Sequence, residues 1–124
     1  DFLCILIMSL ICKRFQTDER PYTAETLSDE HKIPIRLTTT ILYELQDLHL
    51  IHETRMENED EETGYLPAVD INRLNVGMLL NRLDESGSEA FKIDKNRYYA
   101  SWDTLKKARM EYYDSTSKVL LKDL

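Results

Sequence analysis

The chain is short of the residues that break secondary structure. Three glycines and three prolines are spread over 124 positions, too few for a many-turned β fold, so long helices are expected. Cysteine is scarce too. Cys4 and Cys12 are the only two, and eight residues apart on a helix they would stand ~12 Å apart along its axis, beyond disulfide reach. Both are expected to be small buried hydrophobes in a reducing, cytoplasmic setting, inert as thiols. No apolar run is long. Phe2–Cys12 covers 11 residues, well short of the ~20 that span a bilayer. Asp1 precedes it while Lys13 and Arg14 follow it, the reverse of a signal peptide's charge order. The run therefore reads as a core helix. Because the sequence enters that helix directly from Asp1, it reads as a piece of something longer.

Positive charge is the remaining shortage. Sixteen Lys and Arg face 23 Asp and Glu, a net charge of −7. The excess is local: net −3 over residues 1–50, −5 over 51–75 and +1 over 76–124. The apolar fraction of 42% is ordinary for a globular protein. A chain of this length buries about two-thirds of its unfolded surface in one core.

The pattern along the chain sets an order of elements. A first helix is expected from about Phe2 to Phe15. Thr23 suits the N-cap of a short helix from Ala24 to about Glu30, with Leu27 facing inward. Ile33-Pro34 marks a boundary, with Pro34 in the first turn of the next helix. That helix carries Leu37, Ile41, Leu42, Leu45 and Leu48 as its apolar face. Two short helices so joined form a helix-turn-helix. Strands are expected over Leu50–Met56 and Gly64–Val69, separated by the acidic stretch Glu57–Thr63. A hairpin directly after a helix-turn-helix is a wing. Asn75 caps a further helix with Val76, Leu79, Leu80 and Leu83 along one face and Gly87 at its end. Asp94 opens a long terminal helix bearing Tyr98, Trp102, Leu105 and Tyr112 at helical spacing. A fresh cap near Thr116-Ser117 precedes Val119, Leu120, Leu121 and Leu124. The fold class is thus mainly α with a small β-wing, a winged helix-turn-helix plus a long C-terminal helix. It is read as a single domain over 1–124, with the first helix in 1–16, the helix-turn-helix and wing in 17–70, and dimerising C-terminal helices in 71–124.

Chemistry-bearing patterns are few. Glu57–Glu62 lacks the alternate carboxylates and central glycine of a calcium loop and reads as a solvated wing tip that would repel phosphates. His49 and His52 lie three apart at a helix-to-strand junction with no third ligand at metal spacing. No cysteine occupies the wing, so no iron–sulfur cluster is expected there. There is no Gly-x-Ser-x-Gly elbow, phosphate-cradling glycine loop or His-Glu-x-x-His. No catalytic residue, cofactor or metal is therefore assigned. On the third helix, Arg36, Thr39, Thr40 and Tyr43 are the candidates for facing DNA, beside the acids Glu44 and Asp47. With Arg36 as the sole cation there, duplex binding is expected to be weak or absent. The aromatic residues Tyr98, Tyr99, Trp102, Tyr112 and Tyr113 read as packing against a partner helix rather than as base-stacking groups. Tyr98, Trp102, Leu105, Tyr112, Leu120 and Leu121 are the candidate interface of a homodimer.

With these motifs placed, the chain resembles two families. Tyr22-Thr23-Ala24-Glu25-x-x-Ser28, Ile33-Pro34 with Leu37, Leu42-x-x-Leu45 and Leu48 to Ile51 look like the helix-turn-helix of redox-sensing winged-helix repressors. They look still more like the cytoplasmic C-terminal region of YihY/BrkB-type inner-membrane proteins. Tyr65-Leu66-Pro67-Ala68-x-Asp70-Ile71-Asn72 and Leu74-x-Val76-x-x-Leu79-Leu80 continue both patterns. Trp102 and Lys118–Leu124 resemble the terminal helices through which those repressors dimerise. The chain departs from the repressors in lacking their cysteine ligands and basic DNA-facing surface. The YihY/BrkB resemblance implies a non-catalytic interaction and dimerisation domain at the cytoplasmic face of the inner membrane, with its membrane-spanning region upstream in the full-length chain. The alternative is a winged-helix DNA-binding transcription regulator. The ribonuclease BN label attached to the YihY/BrkB type implies tRNA processing, but no carboxylate-metal constellation or basic RNA groove supports it.

Overall fold

The computed structural model describes residues 2–57, 62–87 and 99–124, leaving aside the side chains of 86, 87 and 99–102. Helix α1, Phe2–Gln16, is apolar nearly all round, and a helix of that kind must be covered on several sides. Cys4, Ile7, Met8, Ile11 and Cys12 are buried, and Leu3, Ile5, Leu6 and Leu10 pack at the edge of the same core. The third helix, the wing and the C-terminal turn all lie against it.

Helix α2, Ala24–His31, starts where Thr23 predicts. The Thr23 hydroxyl accepts from the Thr26 N–H, and the Thr26 hydroxyl accepts from the Thr23 N–H. This is a reciprocal cap with threonine in the place glutamate more often takes. Lys32 then adopts a left-handed conformation, φ 53°, and its N–H bonds Ser28 O. Helix α3, Ile35–Asp47, follows Pro34 after this tight turn. It ends as His49 turns left-handed, φ 60°, with the Leu50 N–H bonded to Leu45 O. From the helix that follows the wing, the Arg82 guanidinium donates to Leu48 O at 3.2 Å. That satisfies a carbonyl the helix leaves free and sets a cation at its negative end.

The inward face of α3 differs from the expected one. Thr38, Ile41, Leu42 and Leu45 are buried, whereas Leu37 is 39% exposed and Leu48 half-buried. At ~100° per residue, residues 38, 41, 42 and 45 centre on one arc and Leu37 and Leu48 fall at its rim. Thr38 can sit in the core because its hydroxyl donates to Pro34 O at 3.1 Å.

Strands β1, Ile51–Arg55, and β2, Thr63–Pro67, pair antiparallel with Ile51 opposite Pro67 and Arg55 opposite Thr63. Both are shorter than their apolar patterns predict. On its other edge β2 makes a bridge to Tyr22, whose carbonyl accepts from the Tyr65 N–H at 3.0 Å. Of the expected acidic wing tip, residues 58–61 lie outside the described residues.

Helix α4, Val76–Gly87, is capped by Asn75, whose side-chain oxygen accepts from the Met78 N–H at 2.9 Å. Leu79, Leu80 and Leu83 are buried and Val76 partly so. Helix α5, Tyr99–Thr116, packs against α4, and its expected start at Asp94 falls outside the described residues. The Tyr113 hydroxyl donates to Asp84 Oδ2 across the pair. Gly77 sets their spacing, because a Cβ there would stand 2.6 Å from the Tyr113 carbonyl oxygen. The chain then returns to the core. Val76 N–H bonds Val119 O, Leu121 N–H bonds Leu74 O, and Leu121, at 0% exposure, opens a 3₁₀ turn, Leu121–Asp123, against α1. The expected interface residue Leu121 is therefore part of this chain's own core. Its apolar spacing serves α1 rather than a second copy. Among the described residues, no buried side-chain polar atom lacks a partner.

Two substitutions test this packing. Gly77→Ala should lower the melting temperature although alanine is the better helix former by ~1 kcal/mol, because its methyl meets a backbone oxygen. A raised melting temperature would show that α5 is not held this close. Leu121→Ala should cost about 2–5 kcal/mol in denaturant unfolding and leave any self-association unchanged. Loss of self-association with little loss of stability would place Leu121 in an interface instead.

Candidate nucleic-acid interface

A helix-turn-helix presents the outer face of its second helix, and in this chain that helix is α3. The same arithmetic that buries Thr38 and Leu45 turns Arg36 and Tyr43 to the opposite side, flanked by Thr39, Thr40 and Asp47. All five are exposed, Tyr43 to 74%. The structure thus brings together Arg36, Thr39, Thr40 and Tyr43, the four residues singled out in the sequence. Arg36 makes no ion pair with any described residue. Glu44 stands at the rim, half-buried, and accepts from the Cys4 thiol at 3.8 Å, so its carboxylate is partly turned toward α1.

Two further features of this face were not read from the sequence. Ile35, 47% exposed, adds an apolar group at the start of the helix. Lys32, in the left-handed turn before it, is exposed. The Leu37 mismatch was the available signal, since at ~100° per residue an arc centred on Thr38 leaves Ile35, like Leu37, at its rim.

The electrostatics run against a phosphate-binding surface. Residues 17–70 hold 4 basic and 14 acidic side chains. Arg14, on α1 nearby, is already engaged. Its Nε donates to Arg20 O at 2.7 Å, its Nη1 pairs with Glu19 at 3.1 Å, and its guanidinium lies 4.3 Å from the centre of the Tyr22 ring. The Tyr22 hydroxyl in turn lies 3.3 Å from Glu30 Oε1 and 3.2 Å from His31 Nε2. Burial and the Glu30 carboxylate push its pKa up. This cluster locks the junction of α1 and α2 and leaves Arg20, Lys32, Arg36 and Arg55 as the exposed basic side chains of residues 17–70.

The C-terminal candidates are only partly brought together. Leu105 and Tyr112 are exposed on α5, seven residues apart and hence on one face. Tyr98 and the side chain of Trp102 lie outside the described residues. Leu120 is half-buried in its bridge to Asn75, and Leu121 is in the core.

His49 and His52 do not converge. His49 occupies the left-handed turn, while His52 is exposed with Nδ1 3.3 Å from the Glu53 carbonyl. Among the described residues, no three His, Cys, Asp or Glu side chains gather to hold a metal. No described helix is long and apolar enough to cross a membrane. Cys4 and Cys12 are buried and free. Burial pushes the Cys12 thiol up to about 12 and, with the Glu44 carboxylate beside it, raises that of Cys4 as well.

No family model matches the sequence, and no curated protein matches it. Solved structures do. T. potens IscR superposes with a TM-score of 0.66 at 16% identity, over 98% of this chain and 80% of that one. CymR (YrzC), the global cysteine regulator of B. subtilis, gives 0.62 at 16% identity, over 98% and 88%. A putative transcriptional regulator from Listeria innocua gives 0.61 at 13%, over 98% and 79%. The fold is that of a winged helix-turn-helix, mainly helical with a two-stranded wing. The winged-helix half of the sequence resemblance stands on these matches. The YihY/BrkB half, with its membrane association and ribonuclease label, finds no support in them.

The buried thiols make a pH prediction. An unfolded cysteine ionises near ~8.5, whereas folded Cys12 keeps its proton to about 12. In that window the unfolded chain releases a proton that the folded chain retains. The stabilisation is whole below ~8.5 and is lost as pH rises toward 12. Thermal melts from pH 7 to 11 should fall, and the slope should be shallower in Cys12→Ala. An equal slope in both would show that Cys12 is accessible to water.

Proposed function

We propose that this chain is the winged-helix module of a transcription regulator, a single domain over 1–124, with α3 as the element that meets duplex DNA. The observation that carries this reading is the outward face of α3, where Arg36, Thr39, Thr40 and Tyr43 project together and uncovered. The likeness of nearly the whole chain to regulators of known structure supports it. The interaction-domain reading, which stands first on sequence alone, has no such support.

Affinity in this account comes from base contacts rather than from phosphates. Each phosphate neutralised contributes about −0.9 to the slope of log K against log salt. With Arg20, Lys32, Arg36 and Arg55 as the cations of residues 17–70, that slope should be no steeper than about −4. Selection of duplexes from a random-sequence pool at low salt should enrich a defined site. Anisotropy should then show Arg36→Ala and Tyr43→Ala each weakening it about tenfold or more, with circular dichroism unchanged. Failure to enrich any sequence, or binding that ignores both substitutions, would remove α3 as a DNA-reading surface.

A second reading rests on one observation, the 14 acidic against 4 basic residues of 17–70. Such a surface suits a module that docks protein, as the YihY/BrkB resemblance implies for a domain beside a membrane. Failure of the duplex selection would favour it.

Both readings share a homodimer formed through α5. Among the described side chains of that helix, Leu105 and Tyr112 are exposed on one face, with Met110 exposed away from them, and an isologous interface is the commonest way to cover such a face. Light scattering should give twice 14.6 kDa at micromolar concentration, and Leu105→Asp with Tyr112→Asp should return the monomer mass. A wild-type monomer would refute the dimer.

A further inference from the structure

The threonines at the start of α3 have their hydroxyl protons committed. Thr39 Oγ1 lies 3.1 Å from Ile35 O and 2.9 Å from Arg36 O, and Thr40 Oγ1 lies 2.9 Å from Arg36 O. Thr38 does the same in the core, donating to Pro34 O. A threonine has one hydroxyl proton. With that proton and the oxygen turned back on the helix, the group that Thr39 and Thr40 project outward is the Cγ2 methyl. What remains polar is an acceptor lone pair.

Such a surface matches one base pair better than the others. Guanine offers the major groove two acceptors, N7 and O6, and thymine offers O4. Neither can be met by a hydroxyl without giving up its bond to the helix. The thymine C5-methyl can be met by a methyl, and the adenine N6–H₂ can donate to the free lone pair. Cytosine has a donor but no methyl. Only the A·T pair offers both partners. Exposed Ile35 extends the apolar surface beside Thr39, and the half-buried Glu44 is held toward α1 by Cys4. Arg36, one turn before the threonines on the same side of the helix, and Lys32 in the turn that precedes it are the exposed side chains here able to donate to guanine.

We propose that α3 recognises thymine by its 5-methyl group, through the outward methyls of Thr39 and Thr40. The inference rests on the reading of α3 as a duplex-binding helix and specifies which base it selects.

The test uses the duplex enriched from the random pool and the same duplex with each thymine replaced in turn by uracil. Uracil keeps every hydrogen-bonding group of thymine and lacks only the methyl. Replacement at a contacted position should weaken binding about fourfold, the worth of one buried methyl. Thr39→Val and Thr40→Val keep the methyl and lose the hydroxyl, so they should preserve the preference for thymine over uracil. Thr39→Ser and Thr40→Ser keep the hydroxyl and lose the methyl, so they should bind the two duplexes alike. An enriched site whose uracil forms bind as tightly as its thymine form would overturn the inference while leaving α3 as a duplex reader. Enrichment of no site would overturn both.

Discussion

Helix α1 carries apolar side chains around almost its whole circumference, and keeping water from those between Leu3 and Cys12 constrains the rest of the chain. No one neighbour can do it. Helix α3 covers one side, β2 a second, and the turn at Leu121 a third. The arrangement explains why the chain returns after α5. Without Leu121 and the pairing of Val119 and Leu121 with residues 74–76, part of α1 would face solvent. It also explains why α3 has so well-defined an outer face. With Thr38, Ile41, Leu42 and Leu45 drawn into the core, Arg36 and Tyr43 can only point away.

Much of this was legible in the sequence because the signals were local. Thr23 and Asn75 cap the helices they precede, Pro34 stands immediately before α3, and the 3.6-residue apolar spacing of α4 is the spacing that is buried. The misreadings share a different cause. Hydrophobicity alone places Leu37 inward, because leucine outranks threonine. A threonine bonded to the carbonyl four residues back conceals its polarity, and the centre of the arc outweighs the side chain at its rim. Leu121 lies in this chain's own core rather than in an interface; apolar spacing shows that a residue needs cover without showing what supplies it. The bridge from Tyr22 to Tyr65 left no periodic trace, since it joins one residue of a loop to a strand 43 positions on. For the candidate site, which α3 residues face outward could be read from spacing. That the threonines present methyls could not, because it depends on side-chain rotamers.

The charge of this winged helix bears on how it could recognise a partner. Lysine and arginine normally give a DNA-binding surface its affinity, and base contacts give it discrimination. Here the acidic side chains of α2 and the wing withdraw most of the first contribution. On the proposed reading the exposed groups of α3 would carry the second, with Arg20, Lys32, Arg36 and Arg55 for support. A recognition surface of that composition would bind random duplex poorly and would depend on shape and methyl contacts. The Arg14–Glu19–Tyr22 cluster fits the same economy, using a cation to fix the α1–α2 junction rather than to hold a phosphate.

The central claim is that the outer face of α3 is the surface this chain uses. Hydrogen exchange read by mass spectrometry, with and without the selected duplex, tests it most directly. The account predicts that protection gained on binding concentrates in peptides covering residues 32–43, with a smaller gain in β1 near Arg55 and none in α5. Protection gained along α5 or α1, with 32–43 unchanged, would contradict it.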